Sequence, residues 1–148
     1  MKKVLVTIVL TAVIIFISVL VAAPIVNDNM AKKTADELAD LPLPDNTECI
    51  ESIYKAGKLI GNGNGMQYIG AVLIKSELSL EELKEYYKGY AENEWNCIVE
   101  NQINTDVIIM KEHTGLTFKT DIEGDNYYIV YSWGDNNTVF HELDIRGH

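Results

Sequence analysis

The chain has 148 residues and a formal net charge of −10, with 22 acidic residues against 12 basic ones. The charge is unevenly placed: with Lys2 and Lys3 set aside, 10 basic residues face all 22 acidic ones, a net charge of −12. A surface of that sign repels phosphate backbones and anionic headgroups. Nucleic acid is therefore a poor candidate partner, and the charge itself predicts a well-solvated domain.

The segment from Val4 to Val26 holds 23 residues without a charge. At about 1.5 Å per residue, a helix of this length crosses the roughly 30 Å hydrocarbon core of a bilayer. The pattern predicts a transmembrane anchor over residues 1–26. A cleavable secretory signal stays open, because small residues precede Pro24, although such signals usually have apolar cores of about 7 to 15 residues. In both cases Lys2 and Lys3 favour a cytoplasmic N-terminus and place the rest of the chain outside.

Residues 27–46 predict a juxtamembrane helix followed by a linker. Apolar residues recur there at helical spacing up to Leu41, behind Asp28 or Asn29 as a helix cap. Pro42 and Pro44 then disfavour helix, because a residue that precedes proline is pushed away from the α region. The sequence thus predicts a boundary here, with one extracytoplasmic domain over residues 47–148.

The domain predicts an α+β fold, a small antiparallel sheet with one packed helix. Ser79 and Glu82 form a capping-box pattern that opens a helix over residues 79–90. Alternating or wholly apolar runs predict the strands, in the order β-β-α-β-β-β-β. These strands cover residues 48–60, 66–76, 95–100, 107–112, 116–122 and 127–133. Apolar residues after Gly134 have helix-like spacing, but the pattern does not place the tail.

Two stretches, 61–68 (GNGNGMQY) and 78–87 (LSLEELKEYY), carry a resemblance. The chain resembles, over about residues 41–101, a group of short bacterial proteins with an N-terminal anchor and one small exported domain. That group has no assigned activity. The resemblance therefore implies a location in the bacterial envelope and transfers no catalytic residue.

Motifs for catalysis, nucleotides and metals fail on spacing. The glycines at 61–65 precede a strand, whereas a phosphate-binding loop opens a helix. Asp121, Glu123 and Asp125 lack the glycine and the glutamate positions of a calcium loop. His141 and Glu142 begin a zinc-protease pattern that has no second histidine. We therefore predict no metal, no cofactor and no catalytic residue.

Cys49 and Cys97 are the two cysteines of the chain. Two cysteines in an exported domain most often form one disulfide, and their strands flank the predicted helix in sequence. We expect them to be bonded. A thiol-imidazole pair between Cys97 and His113 is the alternative use of one sulfur.

The function predicted is a membrane-tethered module that binds an envelope partner through a sheet face or edge that its helix leaves uncovered. Candidate contact residues are Tyr128 and Val130 or the glycine loop, with Gly61, Gly63 and Gly65. Alternatives are an envelope enzyme that uses carboxylates such as Glu100, Asp106 and Glu112, and a pilin-like subunit.

Two observations bear on these alternatives. The apolar run lacks the glutamate near its start that is typical of pilins. The aromatic stripe of Tyr127, Tyr131 and Trp133 fits either an exposed binding platform or, more commonly, a buried core.

Overall fold

The computed structural model describes residues 2–60, 65–109, 112–135 and 138–148, apart from the side chains of residues 112, 113 and 135. It begins with α1 (Lys2–Ala39), a helix of 38 residues that contains Pro24. By length and composition, α1 is the helix of the described chain that is long and apolar enough to cross a membrane, and it could serve as an anchor or as a signal sequence. The apolar side chains of its first half are exposed.

The second half of α1 belongs to the folded domain. Its buried side chains recur every three or four residues and so share one helix face. They are Ala23, Asn27, Ala31, Ala35 and Leu38. Residues 27–39, predicted as a helix ahead of a linker, thus continue the apolar helix without a break and pack against the sheet.

The sheet confirms the predicted α+β class and its element order. Four antiparallel strands are arranged in the order β1-β2-β6-β3, and a separate hairpin pairs β4 with β5. Between β2 and β3 lies α2 (Leu80–Lys88), which opens with the predicted capping box of Ser79 and Glu82. The strands are β1 (Thr47–Gly57), β2 (Gln67–Ser76), β3 (Ile98–Asn101), β4 (Asp106–Ile109), β5 (Glu112–Thr117) and β6 (Tyr127–Asp135).

Both faces of the four-stranded sheet are covered. On one face, Val72, Ile74 and Val130 pack against side chains of α1 and α2, including Leu38 and Leu83. The opposite face packs against β4, β5 and the chain that follows β5, through a second apolar cluster. Its buried members are Leu59, Ile69, Ala71, Leu73, Val107, Ile109, Phe118, Ile129 and Tyr131.

The predicted strand over residues 116–122 ends early, since β5 stops at Thr117. The amide groups of Lys119 and Thr120 donate to the carboxylate of Glu51, at 2.9 and 3.0 Å, instead of to a neighbouring strand. Phe118 keeps the inward orientation that the alternation predicted and is buried. Burial alone would raise the pKa of Glu51, but these hydrogen bonds hold it below its usual value.

The helix α1 runs in the same direction as β2 and defines two ends of the domain. Ala31 packs beside Ala56 and Met66, at the end of β1 and the start of β2, whereas Leu38 packs with Ile74 near the end of β2. We call the first end, nearest the exposed half of α1, the anchor end. The opposite end, where β2 stops at Ser76, is the far end.

Candidate functional site

Tyr128 and Val130 do not lie on an uncovered face. Tyr128 is 7% exposed and Val130 is fully buried, and both pack in the cluster beneath α1 and α2. The hydroxyl of Tyr128 donates to the carbonyl of Leu78 at 2.9 Å. The prediction that they form an exposed contact surface is therefore corrected. Strand alternation correctly assigned Tyr128 and Val130 to the sheet face opposite Ile129 and Tyr131. It could not show which of the two faces the helices cover.

The predicted glycine loop is only partly described. Gly61 and Gly63 lie outside the described residues. Gly65 lies at the anchor end, where its amide group donates to the carbonyl of Gly147 at 2.8 Å. Gly65 thus contacts the tail of its own chain, and its role in binding a partner stays a prediction.

The predicted disulfide does not form, because Cys49 and Cys97 are both free. Cys49 is on β1, one edge strand of the sheet, and Cys97 immediately precedes β3, the other edge strand. Three strand spacings of about 4.8 Å separate these edges, far beyond the reach of a disulfide. The two cysteines lie on either side of α2 in the sequence, but this did not predict that they are close in space. Strands β2 and β6 lie between their strands in the sheet.

An open groove of about 530 Å³ lies between α1 and the loop that follows α2, and we call it the α1 groove. It exists because α1 crosses directly over β2: a Cβ atom on Gly70 would lie 2.3 Å from the backbone nitrogen of Ala35. This crossing leaves space beside α1, above β6. The lining residues are Lys33, Thr34, Glu37, Leu38, Leu41, Tyr68, Tyr90, Glu92, Asn93, Asn96, Cys97, Ser132 and Trp133.

An aromatic pair includes Trp133, a groove-lining residue whose side chain packs on the sheet face opposite α1. The rings of Trp95 and Trp133 meet edge to face with centroids 4.9 Å apart, and the amide group of Trp133 donates to the carbonyl of Trp95 at 2.9 Å. The indole Nε1 of Trp133 is buried and meets no acceptor within the described residues. A buried donor without an acceptor costs about 1 to 3 kcal/mol. The predicted aromatic stripe is thus mostly core: Tyr131 is buried, and Tyr127 and Trp133 are partly buried against the same cluster.

Cys97 lines the groove in an unusual backbone conformation. Its φ of 54° is in the left-handed region that residues other than glycine rarely adopt. Its amide group donates to Ser132 Oγ at 3.1 Å, which holds the conformation. Burial raises the pKa of the Cys97 thiol, although a hydrogen bond between the thiol and the Ser132 side chain acts to lower it. A raised pKa keeps the thiol protonated at neutral pH, the reverse of what a nucleophilic cysteine requires.

Glu100 and Asp106, two of the three carboxylates considered for an enzyme, have structural partners outside the groove. Glu100 accepts a hydrogen bond from the hydroxyl of Tyr131 at 3.1 Å, and Asp106 accepts one from Thr117 at 3.2 Å. The side chain of Glu112 lies outside the description. Within the described part of the chain, no three His, Cys, Asp or Glu residues are grouped to hold a metal ion.

A second polar site lies at the anchor end, where the tail folds back on α1. It contains α3 (Val139–Leu143) and a short 3-10 helix (Ile145–Gly147), and we call residues 138–148 the C-terminal clamp. Arg146 donates to the carboxylates of Asp28 and Asp144, both at 2.8 Å, and to the carbonyl of Pro24 at 3.1 Å. Asn27 Nδ2 donates to Asp144 at 2.9 Å.

The clamp also holds the strand ends. The amide group of Lys58, just after β1, donates to the carbonyl of Arg146 at 3.0 Å. Asp144 is fully buried. Burial would raise its pKa, yet hydrogen bonds from Arg146 and Asn27 outweigh this and hold the pKa below the usual value. The clamp therefore ties α1 to the sheet with an ionised buried carboxylate at its centre.

Sequence reasoning missed both sites. The groove depends on where α1 crosses the sheet, which no local pattern encodes. The sequence contains one signal of the clamp, the acidic-basic pair of Asp144 and Arg146 inside a helix-like apolar pattern. The residues of α1 that this pair contacts are more than 110 residues away in the sequence. Comparisons with protein-family models, curated proteins and solved structures found no match to this chain.

Proposed function

We propose that the protein is a membrane-anchored, extracytoplasmic interaction module that binds a segment of an envelope protein in the α1 groove. The observation that carries the proposal is the unbroken α1, which is exposed and apolar in its first half and packed against the sheet in its second. From Ala22 to Thr34 the helix rises about 18 Å. The groove would therefore stand at a fixed height above the bilayer surface.

Retention of the helix is supported by the packing around Ala23. Ala23 is buried, and Arg146 donates to the carbonyl of the next residue, Pro24. A signal peptidase that cut after Ala23 would remove this packed residue together with the exposed half of α1. Mass spectrometry of the protein from membranes should accordingly find a chain that still contains residues 4–22. A chain that begins near Pro24 would contradict the anchor.

Binding rather than catalysis fits the chemistry of the groove. Its lining combines the amides of Asn93 and Asn96 and the tyrosines Tyr68 and Tyr90 with an exposed ion pair. The pair is formed by Lys33 and Glu37, whose Nζ and Oε1 atoms are 3.3 Å apart. Amides and aromatic edges recognise peptide groups and apolar side chains. The volume is within the usual range of about 300 to 1,000 Å³ for ligand sites.

Site-specific photocrosslinking in intact cells tests this role. A benzophenone amino acid in place of Glu37, inside the groove, should capture one defined envelope protein. The same amino acid in place of Glu85, on the outer surface of α2, should not. A second variant supplies the specificity test: Asn96→Arg fills the groove and should abolish the adduct, whereas Glu94→Arg, outside the groove, should leave it. Equal adducts from positions 37 and 85 would refute the assignment.

A pilin-like structural subunit is the second candidate, because of the same continuous helix. A helix that is exposed and apolar for about half of its length, with its other half on an antiparallel sheet, suits bundling of helices between copies. The missing glutamate near the start of the apolar run argues against it. Oxidative crosslinking of a Leu10→Cys chain in native membranes, with Cys49 and Cys97 replaced by serine, discriminates the two. A ladder of oligomers supports the subunit, and a monomer supports the module.

A further inference from the structure

The anchor end of the domain exposes large apolar side chains on the C-terminal clamp. Val139 is 57% exposed, within the range of 47% to 63% for the exposed apolar residues from Val4 to Ile17, and Ile145 is 79% exposed, above that range. The residues beside them in sequence are engaged: His141 and Asp144 are buried. The clamp is therefore held firmly while it presents two apolar side chains to its surroundings.

Contacts of the neighbouring residues place these side chains beside the point where α1 enters the domain. The carbonyl of Phe140 accepts a hydrogen bond from Asn27 at 3.2 Å. Arg146 contacts Pro24 and Asp28. Val139 and Ile145 are thus each one residue away from a direct contact with residues 24–28.

We propose that the C-terminal clamp rests on the bilayer, with Val139 and Ile145 inserted at the boundary between headgroups and acyl chains. The inference rests on the proposed membrane anchor and adds a second, peripheral contact with the lipid. The clamp then does more than brace α1 against the sheet. It sets the tilt of the domain on the membrane surface.

The geometry favours lipid as the partner that covers Val139 and Ile145. The length of the exposed part of α1 fits a bilayer, and its exposed apolar residues continue up to the clamp. Residues 4–22 of α1, the part ahead of the buried Ala23, are 19 residues and span about 29 Å as a helix, which matches the hydrocarbon core. The lipid boundary then falls at the clamp. Val21 and Ile25 are exposed there as well, and they share a helix face with Pro24 and Asp28, the residues that Arg146 contacts.

The charge of the domain decides how the contact works. The chain outside Lys2 and Lys3 carries a net charge of −12, so attraction to anionic headgroups does not hold it on the membrane. The contact must therefore be stabilised by the burial of apolar side chains in the lipid, as it is for interfacial segments in general. The contact should therefore be insensitive to salt.

Depth-dependent quenching tests the proposal on the full chain. An environment-sensitive fluorophore is attached to Ile145→Cys, with Cys49 and Cys97 replaced by serine, and the protein is reconstituted at one chain per nanodisc of neutral lipid. Spin-labelled lipid with the label near the headgroups should quench this fluorophore several-fold more than one at Ile103→Cys, an exposed position near the far end. With a single chain per disc, a second copy of the protein cannot be what covers position 145.

The controls separate this proposal from the anchor itself. A fluorophore at Val13→Cys, inside α1, should be quenched by lipid labelled deep in the acyl chains. Quenching at position 145 that is as weak as at position 103, with position 13 still quenched, overturns the clamp contact and leaves the anchor standing. No quenching at position 13 overturns both. Loss of quenching at position 145 in high salt overturns the apolar mode of insertion.

Discussion

Asp144 is the residue on which the anchor end depends. It is fully buried, and among the described residues its carboxylate accepts hydrogen bonds from Arg146 and Asn27. A buried carboxylate is tolerated only when its charge and its lone pairs are matched. Arg146 does this with two nitrogens in the fork geometry that lysine lacks. The tail and α1 are thus joined through one side chain.

Replacing Arg146 with alanine should destabilise the fold because it leaves the charge of Asp144 buried and unpaired. We expect a loss of about 2 to 3 kcal/mol, less than for a fully buried pair because Arg146 is partly exposed. Lys84→Ala, which removes an exposed ion pair with Glu81, should change stability by less than about 0.5 kcal/mol. Chemical denaturation of the full chain in detergent measures both. Equal stabilities would contradict the role of the clamp.

The lowered pKa of Asp144 also predicts how stability responds to acid. The carboxyl has a lower pKa when folded than the usual value of about 3.9 when unfolded. Its contribution is therefore complete above about pH 4 and is lost as the pH falls further, through the folded pKa. Asp144→Asn should flatten the acid limb of a plot of stability against pH below about pH 4. Glu51, whose pKa is also lowered, keeps part of the slope. Identical acid limbs would refute the assignment.

At the scale of elements, the crossing of α1 over β2 fixes the architecture. The helix approaches the sheet closely because Gly70 has no side chain and the facing helix residue is alanine. The close approach buries small residues along α1 and leaves the groove at its side. Neither the helix nor the strand can shift, since both continue in packed structure on either side of the contact.

Gly70→Ala should therefore be strongly destabilising. The added methyl group would lie 2.3 Å from the Ala35 nitrogen, a backbone atom that no rotamer change can move. Overpacking of this kind typically costs about 1 to 3 kcal/mol, and we expect the upper end of that range. Gly89→Ala is the matched control, because Gly89 has an ordinary helical φ of −64° at the end of α2. Thermal melts of both variants in detergent measure the difference. Similar melting temperatures would contradict a tight crossing of α1 over β2 at Gly70.

Local patterns predicted most of the elements and little of their arrangement. The alternation of β6 and the capping box at Ser79 specify strand and helix without reference to the rest of the chain, and both are confirmed. The pairing of β6 between β2 and β3 is a long-range choice. For this reason the sequence could not place Cys49 and Cys97 at opposite edges, nor Tyr128 beneath the helices.

The composition of the sequence did not indicate that α1 is one continuous helix. The change from apolar to charged residues after Val26 indicates the end of an anchor, and Pro42 and Pro44 indicate a boundary ahead of the domain. In the structure the helix passes through both, and its buried stripe of Ala23, Asn27 and Ala31 is too weakly apolar to stand out. Small residues pack a helix closely while they leave almost no hydrophobic signal.

At the scale of the whole molecule, the exposed apolar half of α1 and the domain share one continuous helix. A stalk with proline residues would let the domain tumble, whereas a shared helix, clamped by Arg146 and crossed tightly at Gly70, would transmit the orientation of the proposed anchor to the groove. The proposed binding at fixed height and the proposed contact of Ile145 with lipid both require this rigidity.

Pulsed electron spin resonance on the full chain in nanodiscs tests the rigid connection most directly. Spin labels replace Leu10, in the exposed half of α1, and Lys84, on α2, with Cys49 and Cys97 changed to serine. A second pair at Lys84 and Lys119 lies wholly within the domain and calibrates the width that the labels themselves contribute. A distance distribution for the first pair that is about as narrow as for the second is the predicted result. A broad distribution for the first pair, with the second still narrow, would mean that the domain moves freely on its anchor and would contradict the account.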